Sequence, residues 1–285
     1  MVSPAHRRAA VRWARETYRL SARRACRAFG TSRRLVWYRS IRPDEAPLRR
    51  RLHELAKVRL TFGYQRLHVL LRRDGLRINH KKVHRLYCEE GLQLTPRRRR
   101  RRKAATVRRP RAVVSGPNER WAMDFMHDVL ADGRSVRVFT LIDVFSRECL
   151  ALDAAPAFTG TDVARLLSTT GAQRGRLPAI IQCDNGTEFT STALDHWAYW
   201  NQVQLDFSRP GMPVDNAVCE ALNGSLRREC LSLHWFASIA EANAVLTLWL
   251  EDYNNSRPHK SLGNHSPLAF QNGGAYLPRR LPSRS

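Results

Sequence analysis

The chain has 285 residues, of which 43% are apolar, so it is long enough and apolar enough to bury a substantial core. No apolar run is long enough to span a bilayer, and the N-terminus lacks the apolar stretch of a secretory signal, so we expect neither a membrane protein nor an exported one. The six cysteines form no C-x-x-C pair, which predicts reduced thiols in a cytoplasmic protein.

The positive charge is concentrated in the N-terminal part of the chain. The net charge is +24, but residues 1–118 hold 34 basic and 7 acidic side chains, whereas residues 119–285 hold 15 and 18. Such a field attracts a polyanion, and counterion release from a phosphate backbone supplies affinity. The alternative is a ribosomal or merely solubilising basic face. Because a need for solubility would not segregate the charge, we expect a protein that binds nucleic acid at the nucleoid.

Residues 1–95 are predicted to form an all-α basic region with two helix-turn-helix outlines. In the first outline, Ser21 caps a helix that runs through Phe29. Gly30 ends this helix, and Ser32 caps the next one. The pattern is typical of a DNA-binding region, although helical pairs of this kind are often only packing units.

The second outline begins with leucines at positions 67, 70 and 71, which have helical spacing. The dipeptide Asp74-Gly75 then forms a turn, and Asn79 caps a helix that runs to about Glu90. This last helix is predicted to lie along DNA and to contact it through three outward basic side chains: Lys81, Lys82 and Arg85.

Residues 96–118 are predicted to be a basic linker, because seven consecutive basic residues begin at position 97 and prolines flank them. The segment is either a solvated tether or a clamp that orders along phosphates. On the second interpretation its DNA contacts are Arg97, Arg98, Arg99 and Arg100.

Residues 119–275 alternate between strand and helix patterns, and residues 276–285 form a tail. Three strands joined by hairpins, followed by alternating helices and strands, predict a mixed α/β sheet flanked by helices. The predicted strands are 120–126, 136–143, 148–154, 179–183 and 203–207, and the predicted helices are 161–170, 190–201, 215–231 and 238–253.

Two acidic residues lie on strands of this predicted sheet. Asp124 stands in the middle of the apolar strand W-A-M-D-F-M, where an unpaired charge is costly to bury. Asp184 ends the apolar strand A-I-I-Q-C-D and is followed by Asn185-Gly186. Taken alone, the second pattern is more typical of an ordinary turn than of a ligand.

A third carboxylate, Glu220, is predicted to lie on a helix capped by Asp215. A solitary helix glutamate is usually a solvated surface charge. Helical spacing, however, places this one on a polar stripe of the kind that a phosphate-facing site requires, together with Asn216, Asn223 and Arg227.

The three carboxylates would repel one another unless cations neutralised them. Mg²⁺, or Mn²⁺ in its place, prefers such hard oxygen ligands, and two ions stabilise both the attacking and the leaving oxygen of an in-line displacement at phosphorus. We therefore interpret Asp124, Asp184 and Glu220 as catalytic metal ligands.

Two further residues have competing interpretations. Asp143 ends a predicted strand before a hairpin, and we interpret it as a structural turn residue rather than a metal ligand. Arg257, in the segment R-P-H, is a candidate DNA contact, although structural support of the loop is the favoured role.

Several stretches resemble the second-reading-frame transposases of bacterial insertion sequences, which belong to the retroviral-integrase superfamily. Thirty-five residues separate Asp184 from Glu220, which is the characteristic interval of that family. The region before the core is also similar, in F-G-Y-Q-R-L-H and I-N-H-K-K-V-H-R-L-Y. The matching core stretches are W-A-M-D-F-M, L-I-D-V-F-S-R, C-D-N-G-T-E-F, D-F-S-R-P-G-M-P-V-D-N-A-V-C-E and Y-N-N-S-R-P-H-K-S-L-G-N-H-S-P.

The resemblance implies a ribonuclease-H-like fold and a transposase that cleaves terminal repeats and joins 3′-hydroxyl ends to target DNA, usually through a circular intermediate. It also implies a homo-oligomer on DNA and a partner, the product of a short upstream reading frame joined by frameshifting. Two rivals are a DNA-binding regulator with an inert core and a ribonuclease-H-like nuclease that cuts without joining.

Overall fold

The computed structural model describes residues 4–38, 45–94, 114–208 and 216–273, and the chain divides into two compact units, residues 1–50 and 51–285. Most of the predicted basic linker, up to residue 113, and all of the predicted C-terminal tail lie outside these ranges. The structure thus describes the helical regions and the sheet, and each unit is described by itself.

The smaller unit contains the first predicted helix-turn-helix outline. Ser21 accepts a hydrogen bond from the amide of Arg24, and Ser32 accepts one from the amide of Leu35, both at 3.3 Å. Gly30 between them has a φ of +54°, which a glycine adopts without strain. The caps and the turn are therefore confirmed, on the helices α1 (Pro4–Tyr18), α2 (Ala22–Ala28) and α3 (Arg33–Trp37).

The second helical pair lies in the larger unit, after α4 (Ala46–Val58), and consists of α5 (Tyr64–Arg73) and α6 (His80–Glu89). Asn79 caps α6 as predicted, since its side chain accepts a 2.8 Å bond from the amide of Lys81. The guanidinium of Arg73 donates to the backbone oxygens of Ser256 and Asn264, at 2.6 and 3.0 Å. These bonds tie the pair to the segment that follows the last long helix of the chain.

A five-stranded mixed sheet forms the centre of the larger unit, as predicted. The strand order is β3-β2-β1-β4-β5, in which β1, β2 and β3 are antiparallel and β4 runs parallel to both of its neighbours. Gly133, with a φ of +84°, supports the predicted turn of the first hairpin. The strands are β1 (Arg120–Val129), β2 (Ser135–Asp143), β3 (Cys149–Ala155), β4 (Ile180–Cys183) and β5 (Gln204–Phe207).

Helices cover both faces of the sheet, which confirms the helix-flanked mixed fold of the ribonuclease-H-like type. None of the described helices is long and apolar enough to cross a membrane. Ser238 begins the longest of them by accepting a bond from the amide of Glu241. The helices are α7 (Gly160–Arg174), α8 (Thr192–Trp200), α9 (Ala217–Glu229), α10 (Ile239–Asn255) and α11 (Pro267–Gln271).

The alternation of side chains along β1 decides which helices each residue meets. Trp121 and Met123 belong to the hydrophobic cluster that contains residues of α7 and α8. Ala122 and Met126 belong to the cluster that contains residues of α9 and α10. Because Asp124 has the parity of the second pair, its side chain lies on the side of α9.

The edge strand β3 is shielded by two asparagines of α10. Asn254 accepts a bond from the amide of Cys149 and donates one to its carbonyl oxygen, at 2.9 and 2.8 Å. Asn243 does the same for Ala154, at 2.7 and 2.9 Å. Each amide side chain thus takes the place of a neighbouring strand, which protects an edge that would otherwise be open to pairing with another chain.

Replacing Asn254 with alanine is expected to destabilise the larger unit. The change leaves both the amide and the carbonyl of Cys149 unpaired in a buried position, at roughly 1–3 kcal/mol for each group. Urea unfolding should show the loss. The matched control is Asn255→Ala, because the Asn255 side chain is exposed and, within the described ranges, bonds to the backbone of Glu251 in its own helix. Equal stability of the two variants would contradict this role.

Candidate active site

Asp124 and Asp184 come together through the parallel pairing of β1 with β4. In that register Arg120 lies opposite Ile180, and Ala122 lies opposite Gln182. Continued by two residues, the register places Asp124 beside Asp184 on the same face of the sheet. The electrostatic effect of the Asp184 carboxylate on Asp124 agrees with this placement.

The polar stripe of α9 lies along β1, which explains how Glu220 is brought to the same place. Asn216 donates to the carbonyl oxygen of Met123 at 3.2 Å, and Arg227 pairs with Asp128 at 3.2 Å. Arg227 also donates to the carbonyl oxygen of His127. The predicted stripe therefore exists and faces the strand.

Glu220 lies one turn after Asn216 and one turn before Asn223 on this stripe, in the first turn of α9. Asn223 donates a 2.8 Å hydrogen bond to Oδ2 of Asp124. The Glu220 side chain itself is exposed, and its carboxylate raises the pKa of Asp124. Glu220 thus lies within electrostatic reach of Asp124, at the solvent side of the α9–β1 contact.

Burial, helped by the negative charges of Asp184 and Glu220, raises the pKa of Asp124 to about 6. Two hydrogen bonds oppose this shift, one from the amide of Phe125 to Oδ1 at 2.8 Å and one from Asn223 to Oδ2. At neutral pH the carboxylate is ionised, but in an environment that disfavours its charge. A cation at this position would relieve the penalty.

The chemistry of these groups fits a divalent cation. The carboxylates of Asp124, Asp184 and Glu220 are hard oxygen ligands, and Oδ1 of Asn223 is a buried oxygen without a hydrogen-bond partner among the described residues. As they stand, however, no three His, Cys, Asp or Glu side chains in the described ranges are close enough together to hold one ion. The three carboxylates therefore lie within electrostatic reach without being closed into a metal site.

The loop that carries Asp184 is held against the sheet by contacts that the sequence did not indicate. Glu188 forms an ion pair with Arg137 of β2, and the Arg137 guanidinium lies 4.3 Å from the ring centroid of Phe125. Phe189 stacks on the same ring at 4.9 Å. The motif C-D-N-G-T-E-F contains Glu188, but nothing in its spacing identifies Arg137, which lies 51 residues earlier.

Replacing Arg137 with alanine is expected to lower strand transfer by about 10- to 100-fold, the usual cost of losing a residue that positions a metal ligand. The reason is that Glu188 would lose its partner and the Asp184 loop would lose its attachment to β2. Strand-transfer rate at several metal concentrations is the measurement, and Arg134→Ala, at an exposed hairpin arginine, is the control. A metal requirement unchanged from that of the control would contradict a positioning role.

Asp143 has the structural role that the sequence predicts. Its side chain is fully buried and accepts bonds from the amide of Asn118 at 2.6 Å, and from the amide and hydroxyl of Ser146 at 2.7 and 2.8 Å. The two Ser146 donors fix the turn between β2 and β3, and the Asn118 amide ties this turn to the segment before β1. No metal role is needed to explain the burial of this carboxylate.

The candidate DNA contacts differ in their surroundings. Lys81 is exposed on α6, while Lys82 and Arg85 are partly buried, and Arg85 pairs with Glu89. Arg227 is engaged with β1, as described above. The predicted contacts of the linker lie outside the described residues: Arg97, Arg98, Arg99 and Arg100. The predicted helix cap Asp215 lies outside them as well.

Arg257 requires a correction. It is 4% exposed, and its guanidinium makes two 2.7 Å bonds to Glu229 and one of 2.9 Å to Ser225. A side chain buried and occupied in this way cannot serve as a surface contact to DNA. The geometry favours the role preferred from the sequence, structural support of the segment after α10, over the candidate DNA contact.

Family models match most of the larger unit. Two models described as the integrase core domain match residues 114–213 and 201–267, and an HTH-like domain matches residues 43–101. With the sheet and its carboxylates, these matches define the class of protein: a DNA-binding polynucleotidyl transferase with an integrase core. An integrase core implies the use of a divalent metal ion.

The sequence is also similar to proteins of bacterial insertion elements. It is 43% identical to the uncharacterized 31.7 kDa protein of insertion element IS407 from Burkholderia multivorans, over 90% of this chain and 92% of that protein. It is 40% identical to the uncharacterized 39.2 kDa protein of IS476 from Xanthomonas euvesicatoria, over 94% and 78%. It is 26% identical to the putative transposase InsK of IS150 from Escherichia coli K12, over 84% and 87%. The chain belongs to the family of insertion-sequence transposases with an integrase core.

Proposed function

We propose that this transposase cleaves the ends of its element and joins the resulting 3′-hydroxyl ends to target DNA, with Asp124, Asp184 and Glu220 as the catalytic carboxylates. The strongest support is the contact between α9 and β1. It sets Glu220 close enough to Asp124 to raise its pKa, on the face where the register also places Asp184.

On this proposal the three carboxylates hold a pair of Mg²⁺ or Mn²⁺ ions. The chemistry that such ions supply when bound is activation of a water or a 3′-hydroxyl and neutralisation of the leaving 3′-oxygen. Asp124 is oriented for this role by its bonds from Phe125 and Asn223. The exposed Glu220 side chain must turn toward the two aspartates, because the present arrangement does not close the three around one ion.

Other residues of the chain act on the carboxylates rather than on DNA. The amide nitrogen of Asn223 donates a hydrogen bond to Oδ2 of Asp124. The buried Oδ1 of Asn223 can then face a cation or a water molecule bound to that cation. Gly186 donates a 2.9 Å bond to Oδ1 of Asp184, which orients that side chain at the end of β4. Together these bonds restrict the carboxylates before any metal binds, which lowers the entropy lost on assembly.

A partner completes the proposal. The family resemblance supports a fusion with the product of a short upstream frame, which would supply a further helix-turn-helix and a coiled coil for multimerisation. The present sequence contains no long leucine heptad. We therefore expect the fused partner to supply the multimerisation of a homo-oligomer that assembles on DNA at the nucleoid.

An oligonucleotide assay separates this function from its two rivals. A DNA duplex with the element's terminal repeat is incubated with a target duplex and Mg²⁺ or Mn²⁺, and cleaved and joined products are resolved on a gel. The transposase yields both products. A nuclease yields cleavage alone, and a regulator with an inert core binds DNA and yields neither.

A further inference from the structure

A cavity of about 560 Å³ lies against α9, the helix that carries Glu220. Its walls come from α9, from α5, from the end of β2 with the turn that follows, and from the end of α10 with the residues after it. Glu220 lines it, so the cavity adjoins the proposed catalytic carboxylates. We name it the arginine cavity, because its lining includes five cationic side chains: Arg66, Arg147, Arg228, Arg257 and Lys260.

Two of these cations share one carboxylate within the protein, and three form no ion pair with the described residues. Arg66 and Arg257 both pair with Glu229, at 3.4 and 2.7 Å. In contrast, the side chains of Arg147, Arg228 and Lys260 make no hydrogen bond or ion pair with the residues of the described ranges. With Glu220 as the acidic side chain in the lining, the cavity keeps an excess of positive charge.

Arg147 is the most informative of the three. Burial lowers the pKa of its guanidinium, and the electrostatic effects of Tyr253 and Asp143 oppose this shift only in part. Its charge is therefore held in a poorly solvated place without an ion pair to any described residue. Its backbone has a φ of +61°, a left-handed conformation that is unfavourable for a residue with a side chain. The turn is held in this shape by the buried bonds of Asp143 to Ser146, and by the bond from the Arg147 amide to the Asp143 carbonyl. The fold thus maintains strain to present a cation in the cavity wall.

His259 supplies an independent observation. Its side chain is 8% exposed and lines the same cavity, and its Nε2 has no hydrogen-bond partner in the part of the chain that the structure describes. Burial, helped by the nearby cations Arg257, Arg66 and Arg147, lowers the pKa of His259 to about 3. The imidazole is therefore neutral, and in the tautomer with hydrogen on Nε2 it offers one N–H donor to an oxygen ligand.

We propose that the arginine cavity binds a backbone phosphate of the DNA on which the carboxylates act, and thereby positions that strand relative to Glu220. Guanidinium, ammonium and neutral imidazole donors together match the oxygens of a phosphodiester. The ligand is assigned to DNA rather than to a free phosphate ion because the cavity shares a wall residue with the proposed reaction centre. The inference thus rests on the proposed function.

The test compares the double variant Arg228→Ala/Lys260→Ala with a matched double variant, Arg134→Ala/Arg165→Ala. All four side chains belong to the larger unit, and neither control residue lines the cavity. Affinity for a duplex with the terminal repeat is measured against salt concentration, without divalent metal. Loss of one or two phosphate contacts should reduce the slope of log K against log salt by about 1–2 in the cavity variant and leave it unchanged in the control.

A second measurement locates the contact and identifies the source of the phosphate. Single phosphates of the duplex are replaced by neutral methylphosphonates. One replacement should weaken binding by the wild-type chain and have no further effect on the cavity variant. Equal salt slopes for cavity variant and wild type, or stabilisation of only the wild type by inorganic phosphate with no change in DNA binding, would overturn the proposal.

These measurements remain informative if the carboxylate proposal is wrong, because binding is measured without metal and without catalysis. Failure of the proposed function would appear as strand transfer by an Asp124→Asn variant. Failure of the cavity proposal would appear as an unchanged salt slope in Arg228→Ala/Lys260→Ala. The two failures are therefore distinguishable.

Discussion

An Asp124→Asn variant is expected to lose strand transfer, by on the order of 10³-fold or more, while becoming more stable in the absence of metal. The loss follows from removing a carboxylate that both metal ions need on the proposed mechanism. The gain follows from the raised pKa of Asp124, whose charge is disfavoured by burial and by Asp184 and Glu220. Rate in the joining assay and urea unfolding in a chelating buffer measure the two effects.

The stability gain of Asp124→Asn is expected to depend on pH, because the pKa of Asp124 is raised in the folded state. A carboxyl group whose folded-state pKa of about 6 exceeds the ordinary 3.8 is destabilising when ionised, so the penalty is absent below about 4 and complete above about 6. The Asn variant should therefore be more stable than wild type at pH 7, and no more stable at pH 3.5. The gain at pH 7 should be about 1–2 kcal/mol, since one bond from Asn223 is also altered.

Asp143→Asn is the matched control for this prediction. The change disturbs a turn, because three donors converge on the Asp143 carboxylate, so the variant should be less stable than wild type. Its folded fraction should still join DNA ends. An inactive but folded Asp143→Asn variant, together with an active Asp124→Asn variant, would reverse the assignment of these two aspartates.

An Arg257→Met variant is expected to lose about 3 kcal/mol of unfolding free energy, the lower end of the cost of breaking a buried ion pair. The reason is that Glu229 is itself 9% exposed and would keep only its longer contact to Arg66. Urea unfolding measures the loss.

The double variant Arg257→Met/Glu229→Met separates a buried pair from a DNA contact. Removing both charges leaves no uncompensated carboxylate, so part of the lost stability should return. If Arg257→Met instead unfolds like wild type and only its DNA affinity falls, the structural role assigned to Arg257 is wrong.

Local features of the fold could be predicted from the sequence because their causes are local. Ser21, Ser32 and Asn79 cap the helices that they were predicted to cap, since each is bonded to an amide two or three residues away. The strands were predictable for a similar reason, because their apolar runs are interrupted by turn residues such as Asp132 and Gly133.

Contacts across the fold could not be predicted in this way. Arg137 and Glu188, or Asn254 and Cys149, are joined by the order of strands and helices, and no periodicity in the sequence connects them. Arg257 illustrates the same limit, since the sequence favours structural support over a DNA contact but does not identify Glu229 as the partner of this arginine. The polar stripe of α9 was predictable, but its direction toward β1 depends on the apolar residues of α9 that pack in one cluster with Ala122 and Met126 of β1.

The central claim is that Asp124, Asp184 and Glu220 share divalent metal ions, and a crystal structure with Mn²⁺ tests it most directly. The anomalous signal of the metal identifies each ion without reference to the expected ligands. The account predicts Mn²⁺ bound between Asp124 and Asp184, with the Glu220 side chain turned toward it. Manganese bound elsewhere, with these three carboxylates left apart, would contradict it.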